Sequence, residues 1–184
     1  MDADLIQRAR CGDETAYQTL VENHQESVFR LAYLLLGDAD DAADIAQETF
    51  IRAFRNLDNF DTTRPPRPWL LRITRNLAHN RQRTLRRYLN MVNRLNTGTI
   101  KTNPSAEAES QQQEEAQMLW QAVRRLNTTD QEVIYLRCFL ELSIGETADI
   151  LNIKDGTVKS RLSRALNRLR MVIHREFPSL VKGR

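Results

Sequence analysis

Apolar residues in the first half of the chain recur every three or four positions, the period of an amphipathic α-helix. The spacing predicts four helices: residues 4–10, a long helix between Asp13 and Gly37, residues 38–56, and a helix that begins near residues 66–68. Asp13 can cap the second helix and Gly37 can end it. The inner side of the third helix is predicted to carry Ala42, Ile45, Ala46, Thr49, Ala53 and Leu57.

Two shorter helices are predicted near the end of the chain. Ser143 and Glu146 have the spacing of a capping box, and the helix that they start should stop near Asn152. The next helix, over residues 156–170, should pack through one apolar stripe made of Val158, Leu162, Ala165, Leu166 and Leu169. Two short helices joined by a tight turn, the second of them basic, are typical of a helix-turn-helix. A solvated, arginine-rich surface helix is the alternative interpretation.

The composition favours an all-α protein, because the chain of 184 residues is 41% hydrophobic and has only six glycines and five prolines. We expect two small helical domains, residues 1–95 and 114–184, with the helix-turn-helix at the end of the second. Over residues 96–113 the regular spacing of apolar residues is lost, and Thr, Asn, Ser and Gln predominate. We interpret this segment as a flexible linker.

Acidic and basic residues alternate in blocks along the chain. Residues 1–61 have a net charge of −8, residues 62–106 of +10, residues 107–155 of −6 and residues 156–184 of +7. Each predicted domain therefore has an acidic and a basic part. This arrangement predicts two separate contacts with a polyanion rather than one uniformly basic surface.

Other classes of protein are disfavoured by the sequence. The longest apolar run, residues 31–36, is far shorter than the ~20 residues of a membrane span, and the start of the chain is acidic where a signal peptide is basic. We therefore expect a cytoplasmic protein that does not insert into a membrane. Cys11 and Cys138 are far apart and His24, His79 and His174 are isolated, so no disulfide framework, metal site or cofactor is predicted.

An enzyme hypothesis arises at the start of the third helix. Residues 40–44 have the form D-D-x-x-D, which resembles the magnesium-diphosphate motif of isoprenoid synthases. Such an enzyme needs a large apolar cavity and a second metal motif on a facing helix, and this half of the chain offers neither. Acidic residues also favour a helix N-terminus for electrostatic reasons alone. We therefore predict that the protein is not an enzyme.

Residues 64–94 contain nine arginines and no acidic residue, and Trp69 and Tyr88 lie among them. Arginines together with aromatic side chains suit phosphate contacts and base stacking on single-stranded or melted DNA. A solvated arginine face is the alternative, and mutual repulsion among so many positive charges makes it less favourable.

Three segments carry a resemblance to a known family: DDAADIAQETFIRAFRNLDNF at residues 40–60, PWLLRITRNLAHNRQR at residues 68–83 and GTVKSRLSRALNRLR at residues 156–170. Their order and spacing resemble those of extracytoplasmic-function (ECF) sigma factors of bacterial RNA polymerase. The resemblance implies an alternative sigma factor that directs promoter-specific transcription initiation in a stress or envelope response. Its implied partners are core RNA polymerase, through the beta-prime and beta subunits, promoter DNA and an anti-sigma factor.

The resemblance also implies three sets of site residues. The set for core polymerase binding is Asp41, Asp44, Gln47, Glu48, Phe50 and Arg52. The set for the −10 element is Phe60, Arg64, Arg67, Arg72, Arg75, Asn76, Asn80 and Arg83, in which Phe60 and Asn76 are expected to form part of a pocket for an unstacked base. The set for the −35 element is Thr157, Lys159, Ser160, Arg161, Ser163, Arg164, Asn167 and Arg168.

The sequence departs from the family pattern in two places. The loop before Trp69 contains Pro65, Pro66 and Pro68, which are expected to stiffen it. The first helix of the helix-turn-helix contains Gly145 and Thr147, which are expected to make it less stable. A helix-turn-helix regulator that is not a sigma factor is the main alternative function. Such a regulator needs a receiver or sensor domain, and the first half of this chain carries the DAADIAQETF and WLLRITRN motifs instead.

Overall fold

The computed structural model describes residues 2–95 and 111–182, and every regular element within these ranges is helical. The first half comprises α1 (Asp2–Arg10), α2 (Glu14–Leu36), α3 (Ala39–Arg55), a 3-10 turn (Leu57–Asn59) and α4 (Pro66–Leu95). The second half comprises α5 (Gln111–Arg124), α6 (Thr128–Ile134), a π-helical turn (Tyr135–Phe139), α7 (Ile144–Leu151), α8 (Asp155–Glu176) and α9 (Ser179–Lys182). The predicted all-α fold is confirmed.

The expected linker, residues 96–113, lies largely outside the described residues. Its last three residues form the start of α5, so the helical part of the second half begins earlier than the predicted boundary at residue 114. The predicted domain limits otherwise stay predictions. Within the described ranges, no helix combines the length and apolarity needed to cross a membrane.

The ends of the helices follow from local hydrogen bonding. Asp13 Oδ1 accepts the Ala16 N–H at 3.1 Å, and Gly37 ends α2 with a left-handed φ of 78° while its N–H donates to the Tyr33 carbonyl at 2.7 Å. The Thr15 hydroxyl, the Ala16 N–H and the Arg8 guanidinium all bind the Asp13 carboxylate and hold its pKa well below its ordinary range. These contacts confirm both predicted ends of α2.

The core of the first half lies around α2, which packs against α1, α3 and α4. Leu20 and Val28 of α2 and Leu70 and Leu71 of α4 are fully buried. The predicted inner side of α3 is confirmed, since all of its residues are buried except Ala46, which is partly buried. This packing leaves the opposite side of α3 exposed.

In the second half, α7 and α8 form the predicted helix-turn-helix. Ser143 and Glu146 make the expected capping box, and Asn152 ends α7 in the left-handed conformation. The Thr147 side chain is fully buried and its hydroxyl donates to the Ser143 carbonyl at 2.8 Å, so this departure from the family pattern adds a contact to the first turn of α7.

The apolar stripe of α8 is narrower than predicted. Val158, Ala165 and Leu169 are buried and Leu162 is partly buried, but Leu166 is 40% exposed. Leu166 lies at the edge of the stripe, because 3.6 residues per turn rotate it away from the line through Val158 and Leu169. The expectation that Leu166 packs inside is therefore wrong.

The two halves of the chain pack against each other. Helix α4 contacts α7, and α2 contacts the π-helical turn. One buried cluster contains Leu70 and Leu71 from the first half together with Leu140, Leu142 and Ala148 from the second. Tyr33 of α2 also stacks on Trp120 of α5, with ring centroids 6.1 Å apart and planes 6° from parallel. In this structure the halves share one core.

Candidate polymerase and nucleic-acid surfaces

The exposed side of α3 carries most of the residues predicted to bind core polymerase. Asp44, Gln47 and Arg52 are exposed, and Arg52 donates to the partly exposed Glu48 carboxylate at 2.7 Å. Asp41 pairs with Arg81 of α4, whose Nε lies 3.0 Å from the carboxylate. The surface is therefore acidic at its N-terminal end, where the helix dipole is positive.

Phe50 is the exception within this set. Its side chain is only 8% exposed and belongs to the core, so the prediction that Phe50 faces a partner is not met by its position. The apolar residues that do face solvent on α3 are Ile51, 39% exposed, and Phe54, 52% exposed. Sequence reasoning missed both residues. The spacing from Asp44 through Gln47 to Ile51 and Phe54 follows one helix face and could have identified them.

Phe54 also borders a cleft between α1 and α2. Its ring makes an edge contact with Tyr17, with centroids 4.9 Å apart. The Tyr17 hydroxyl donates to the Phe50 carbonyl at 2.7 Å, and burial raises the pKa of Tyr17 to about 12. The acidic face of α3 therefore ends in an aromatic surface held in place by α2.

The segment between α3 and α4 forms two neighbouring clefts. Phe60 lines one of them and packs on Trp69, with ring centroids 4.5 Å apart, while Asn76 lines the other. Asn59 and Trp69 border both clefts. Phe60 and Asn76 therefore line different clefts, and Phe60 is itself mostly buried. Sequence reasoning singled out Trp69 for base stacking together with the arginines but assigned no role to Asn59.

The prolines before Trp69 help to start α4. Pro66 is the first residue of the helix and is buried, as is Pro68, while Pro65 is exposed. Proline suits a first helical turn because the missing N–H has no partner there in any case. Next to them, Arg64 is exposed and lies 3.6 Å from Asp61.

Helix α4 presents two adjacent polar faces. Asn76, Asn80 and Arg83 are exposed to solvent. The neighbouring face contacts the second half of the chain: Arg67 donates to the Leu140 carbonyl at 3.1 Å, and Arg72 donates to the Asp149 carbonyl at 2.5 Å. Part of the predicted −10 surface is therefore occupied by the chain itself in this structure.

The strongest polar contact between the halves centres on Glu132 of α6. Arg75 donates to both oxygens of the Glu132 carboxylate, at 2.9 and 3.0 Å, and His79 hydrogen bonds to the same group. Burial acts to raise the pKa of Glu132, but the hydrogen bonds and charges of His79 and Arg75 bring this pKa below its ordinary value. Sequence reasoning missed Glu132, although its position directly before the apolar run Val133–Leu136 could have indicated a buried carboxylate.

Helix α8 presents the predicted outer face. Its exposed members are Lys159, Ser160, Ser163, Arg164, Asn167 and Arg168, whereas Thr157 and Arg161 are partly buried. Arg164 donates to the Ser160 carbonyl at 3.2 Å and so lies along its own helix. Arg168 instead donates to the buried carboxylate of Asp130 on α6. Arg168 therefore links α8 to α6, a contact that the sequence did not reveal.

Within the part of the chain that the structure describes, no group of three or more His, Cys, Asp or Glu side chains is placed to hold a metal ion. The carboxylate of Asp41, in the D-D-x-x-D segment, is paired with Arg81. Cys11 and Cys138 are free and exposed.

Comparison with known proteins matches both halves to family models. The model described as Sigma-70 region 2 matches residues 20–88, and that described as Sigma-70, region 4 matches residues 116–169. Over 173 residues the chain is 34% identical to the ECF RNA polymerase sigma factor SigW of Bacillus subtilis, which covers 90% of this chain and 92% of SigW.

Two solved structures are similar to the whole fold. The structure of CnrH in complex with the cytosolic domain of CnrY has a TM-score of 0.72 at 26% identity and covers 95% of this chain and 98% of that one. The structure of the sigma factor RpoE with the anti-sigma factor NepR from Bartonella quintana has a TM-score of 0.68 at 24% identity, covering 87% and 98% respectively.

Proposed function

Since the chain belongs to the sigma-70 family as an ECF sigma factor, we propose that it divides promoter recognition between its two halves. It is an alternative sigma factor and belongs to a family of non-enzymatic initiation factors. The first half binds core RNA polymerase and the melted −10 element, and the second half binds the −35 element. Both activities place the protein in the cytoplasm, with the polymerase and the chromosome.

Core polymerase binds the exposed face of α3 in this proposal. Asp44, Gln47 and Glu48 supply polar and acidic contacts, which suit a basic polymerase surface and disfavour DNA. Ile51 and Phe54 supply the apolar contacts in place of the buried Phe50. An aromatic side chain that becomes fully desolvated in an interface, with polar contacts around it that exclude water, is typical of a hot spot.

The −10 element binds the two clefts that Trp69 borders and the exposed face of α4. Trp69, backed by the mostly buried Phe60, offers aromatic surface for an unstacked base, and Asn76 and Asn80 offer amide groups for its edge. Arg64 and Arg83 are exposed and can bind phosphates of the strand. Arg75 can bind a phosphate only when Glu132 releases it, whereas Arg67 and Arg72 each use one donor on a carbonyl of the second half.

The −35 element binds the outer face of α8 in the major groove. Lys159, Ser160, Ser163 and Arg164 are all exposed on that face, at the start and middle of the second helix of the helix-turn-helix. Recognition helices place such residues against base edges, whereas flanking arginines contact phosphates. Arg161 is then a phosphate contact, and Arg168 has mainly a structural role through Asp130.

The observation that carries this proposal is the match of both halves, in order, to region 2 and region 4 of one family. The test is run-off transcription with purified core polymerase on genomic fragments, followed by mapping of the start sites. A sigma factor starts transcription with core enzyme alone. A regulator that is not a sigma factor gives transcripts only when another sigma factor is added, and that result would refute the proposal.

We also propose that an anti-sigma protein restrains this factor. Support comes from the structure of CnrH with the cytosolic domain of CnrY, which this fold resembles at 26% identity. The factor should co-purify from unstressed cells with a stoichiometric partner that competes with core polymerase. Recovery only as free protein or as polymerase complex would instead favour control by transcription or by the chain itself.

A further inference from the structure

Asp130 is an acidic residue buried in the first turn of α6, and only 3% of it is exposed. The side chain of Asn127, the N-cap of α6, accepts the Asp130 N–H at 3.0 Å and donates its Nδ2 to Asp130 Oδ2 at 2.9 Å. The Arg168 guanidinium of α8 donates to the same Oδ2. The carboxylate is thus held from two sides, by the cap of its own helix and by the second helix of the helix-turn-helix.

The pair of Asp130 and Arg168 joins a buried charge to an exposed one. An acidic residue in the first turn of a helix is stabilised by the helix dipole even when solvent surrounds it. A carboxylate removed from solvent also needs a cation, because a buried charge without a partner is strongly unfavourable. The Asp130 side chain is 4% exposed, whereas that of Arg168 is 48% exposed. The positive charge that Arg168 presents at the surface is therefore compensated from inside the protein.

Arg168 extends a row of arginines along one flank of α8. Arg161, Arg164 and Arg168 follow one another at spacings of three and four residues, which places them on the same side of a helix. Arg164 donates to the Ser160 carbonyl of its own helix, a contact that does not neutralise its charge. Within residues 2–95 and 111–182, Arg168 is the only member of the row that forms an ion pair. The row therefore carries three arginines, one of which is neutralised.

The place of Arg168 on α8 suits a phosphate rather than a base. Arg168 follows Ser160 by eight residues, which is about 12 Å along the helix axis at about 1.5 Å per residue. Recognition helices read bases mainly with their N-terminal residues, and the major groove is only about 12 Å wide. An uncompensated arginine at this position adds a phosphate contact, which is the same on every DNA sequence. The pair with Asp130 competes with that contact, because the carboxylate already neutralises the guanidinium.

We infer that Asp130 limits the sequence-independent DNA binding of α8: it neutralises Arg168 and so keeps this arginine from holding the phosphates of any DNA sequence. The inference rests on the proposed function, because it takes α8 as the helix that meets the −35 element. Asp130 is a positioning residue, since it acts on DNA only through Arg168. A factor that searches a chromosome benefits from weak sequence-independent binding, because nonspecific sites compete by their number.

The test compares Asp130→Asn with the wild type in the full chain. Asparagine keeps the size of the side chain and an oxygen for Asn127, but it lacks the charge that neutralises Arg168. The probe is a fluorescent duplex of scrambled, mixed sequence, and its binding is followed by anisotropy over a series of salt concentrations. Each phosphate that the protein neutralises contributes about 0.9 to the slope of log K against log salt. We expect the slope to steepen by about 0.9 and the affinity at about 0.1 M salt to rise roughly eightfold.

Further variants show whether the effect passes through Arg168. Arg168→Gln keeps a donor for the Asp130 carboxylate and should leave the slope unchanged, whereas Arg161→Gln, a matched loss from the same row, should lower it by about 0.9. Asp130→Asn combined with Arg168→Gln should return the slope and affinity to the wild-type values. Glu115→Gln, at an exposed position of α5, changes the net charge as Asp130→Asn does and should alter neither quantity. Far-UV circular dichroism checks that each variant is folded.

An unchanged slope in folded Asp130→Asn would overturn the inference. Weaker binding in Asp130→Asn, or a lowered slope in Arg168→Gln, would overturn it as well, because Asp130 would then orient Arg168 toward DNA rather than neutralise it. A gain that persists in the double variant would show that it does not pass through Arg168. Run-off transcription by the wild-type protein tests the proposed function separately. Transcription with core enzyme alone upholds that function whatever the Asp130 variants do, and its absence refutes it without changing the measured slopes.

Discussion

Replacement of Phe54 by alanine tests which residues of α3 bind core polymerase. The ring is 52% exposed. A phenylalanine side chain buries about 200 Å² when it is fully covered, so docking against a partner removes at most about 100 Å² of this ring from water. At about 25 cal/mol per Å², this area contributes about 2.5 kcal/mol to binding. Phe54→Ala should therefore weaken the affinity for core enzyme by up to roughly 60-fold.

The affinity is measured by titrating labelled core polymerase with wild-type and variant protein, after circular dichroism has confirmed that the variant is folded. Phe29→Ala is the matched control, because Phe29 is a similarly accessible phenylalanine, 39% exposed, on α2 rather than α3. It should leave the affinity within about twofold of wild type. Wild-type affinity in Phe54→Ala, or an equal loss in Phe29→Ala, would refute the assignment of the apolar contact to α3.

Three further predictions concern the second half of the chain and its contact with the first. Ser143→Ala removes half of the capping box of α7 and should lower the free energy of unfolding by about 1 kcal/mol in thermal or denaturant melts, whereas Ser179→Ala is expected to have little effect. Arg164→Ala should weaken the free energy of DNA binding by about 1 to 3 kcal/mol at particular bases of the −35 element. Arg161→Ala should weaken DNA binding evenly across sequences and lower its salt dependence. Gel-shift titrations against a series of base substitutions distinguish the two outcomes. The pKa of Glu132 is lower in contact with Arg75 and His79 than in solvent. The contribution of Glu132 to the contact between the halves is therefore complete above its ordinary pKa of 4.5 and is lost as the pH falls through the lowered value. Energy transfer between fluorescent dyes on Cys11 and Cys138 should thus fall under acidic conditions in the wild type, and a fall of the same size in Glu132→Gln would contradict this origin.

Features that depend on a few neighbouring residues could be predicted from the sequence. The cap at Asp13, the end of α2 at Gly37 and the capping box of Ser143 and Glu146 all form as expected, because each needs only a side chain and the backbone within one helical turn. The inner face of α3 was predictable for the same reason. The spacing of residues along a helix is enough to show which positions lie on the same side of it.

Features that depend on distant parts of the chain could not be predicted. Phe50 lies on the inner side of its helix and Leu166 at the edge of its stripe, and only the positions of neighbouring helices decide how far each is buried. The contact of Glu132 with Arg75 spans 57 positions in sequence. The alternating charge blocks were interpreted as two external contacts, but part of the basic block of α4 meets the acidic block that contains Glu132.

Gly37 has a consequence for the exchange of parts between related sigma factors. Its left-handed φ favours glycine, and a Cβ atom there would also lie 2.2 Å from a terminal nitrogen of Arg124, in the other half of the chain. The flexible Arg124 side chain can move aside, but it would then leave its place 4.8 Å from the Trp120 ring, on which Tyr33 also stacks. A chimera that takes α1–α4 from this protein and its −35 module from a relative keeps Gly37 and Tyr33 without Arg124 and Trp120. Such hybrids need matched replacements along this seam if they are to keep the contact between the halves, even when each donated module folds perfectly by itself.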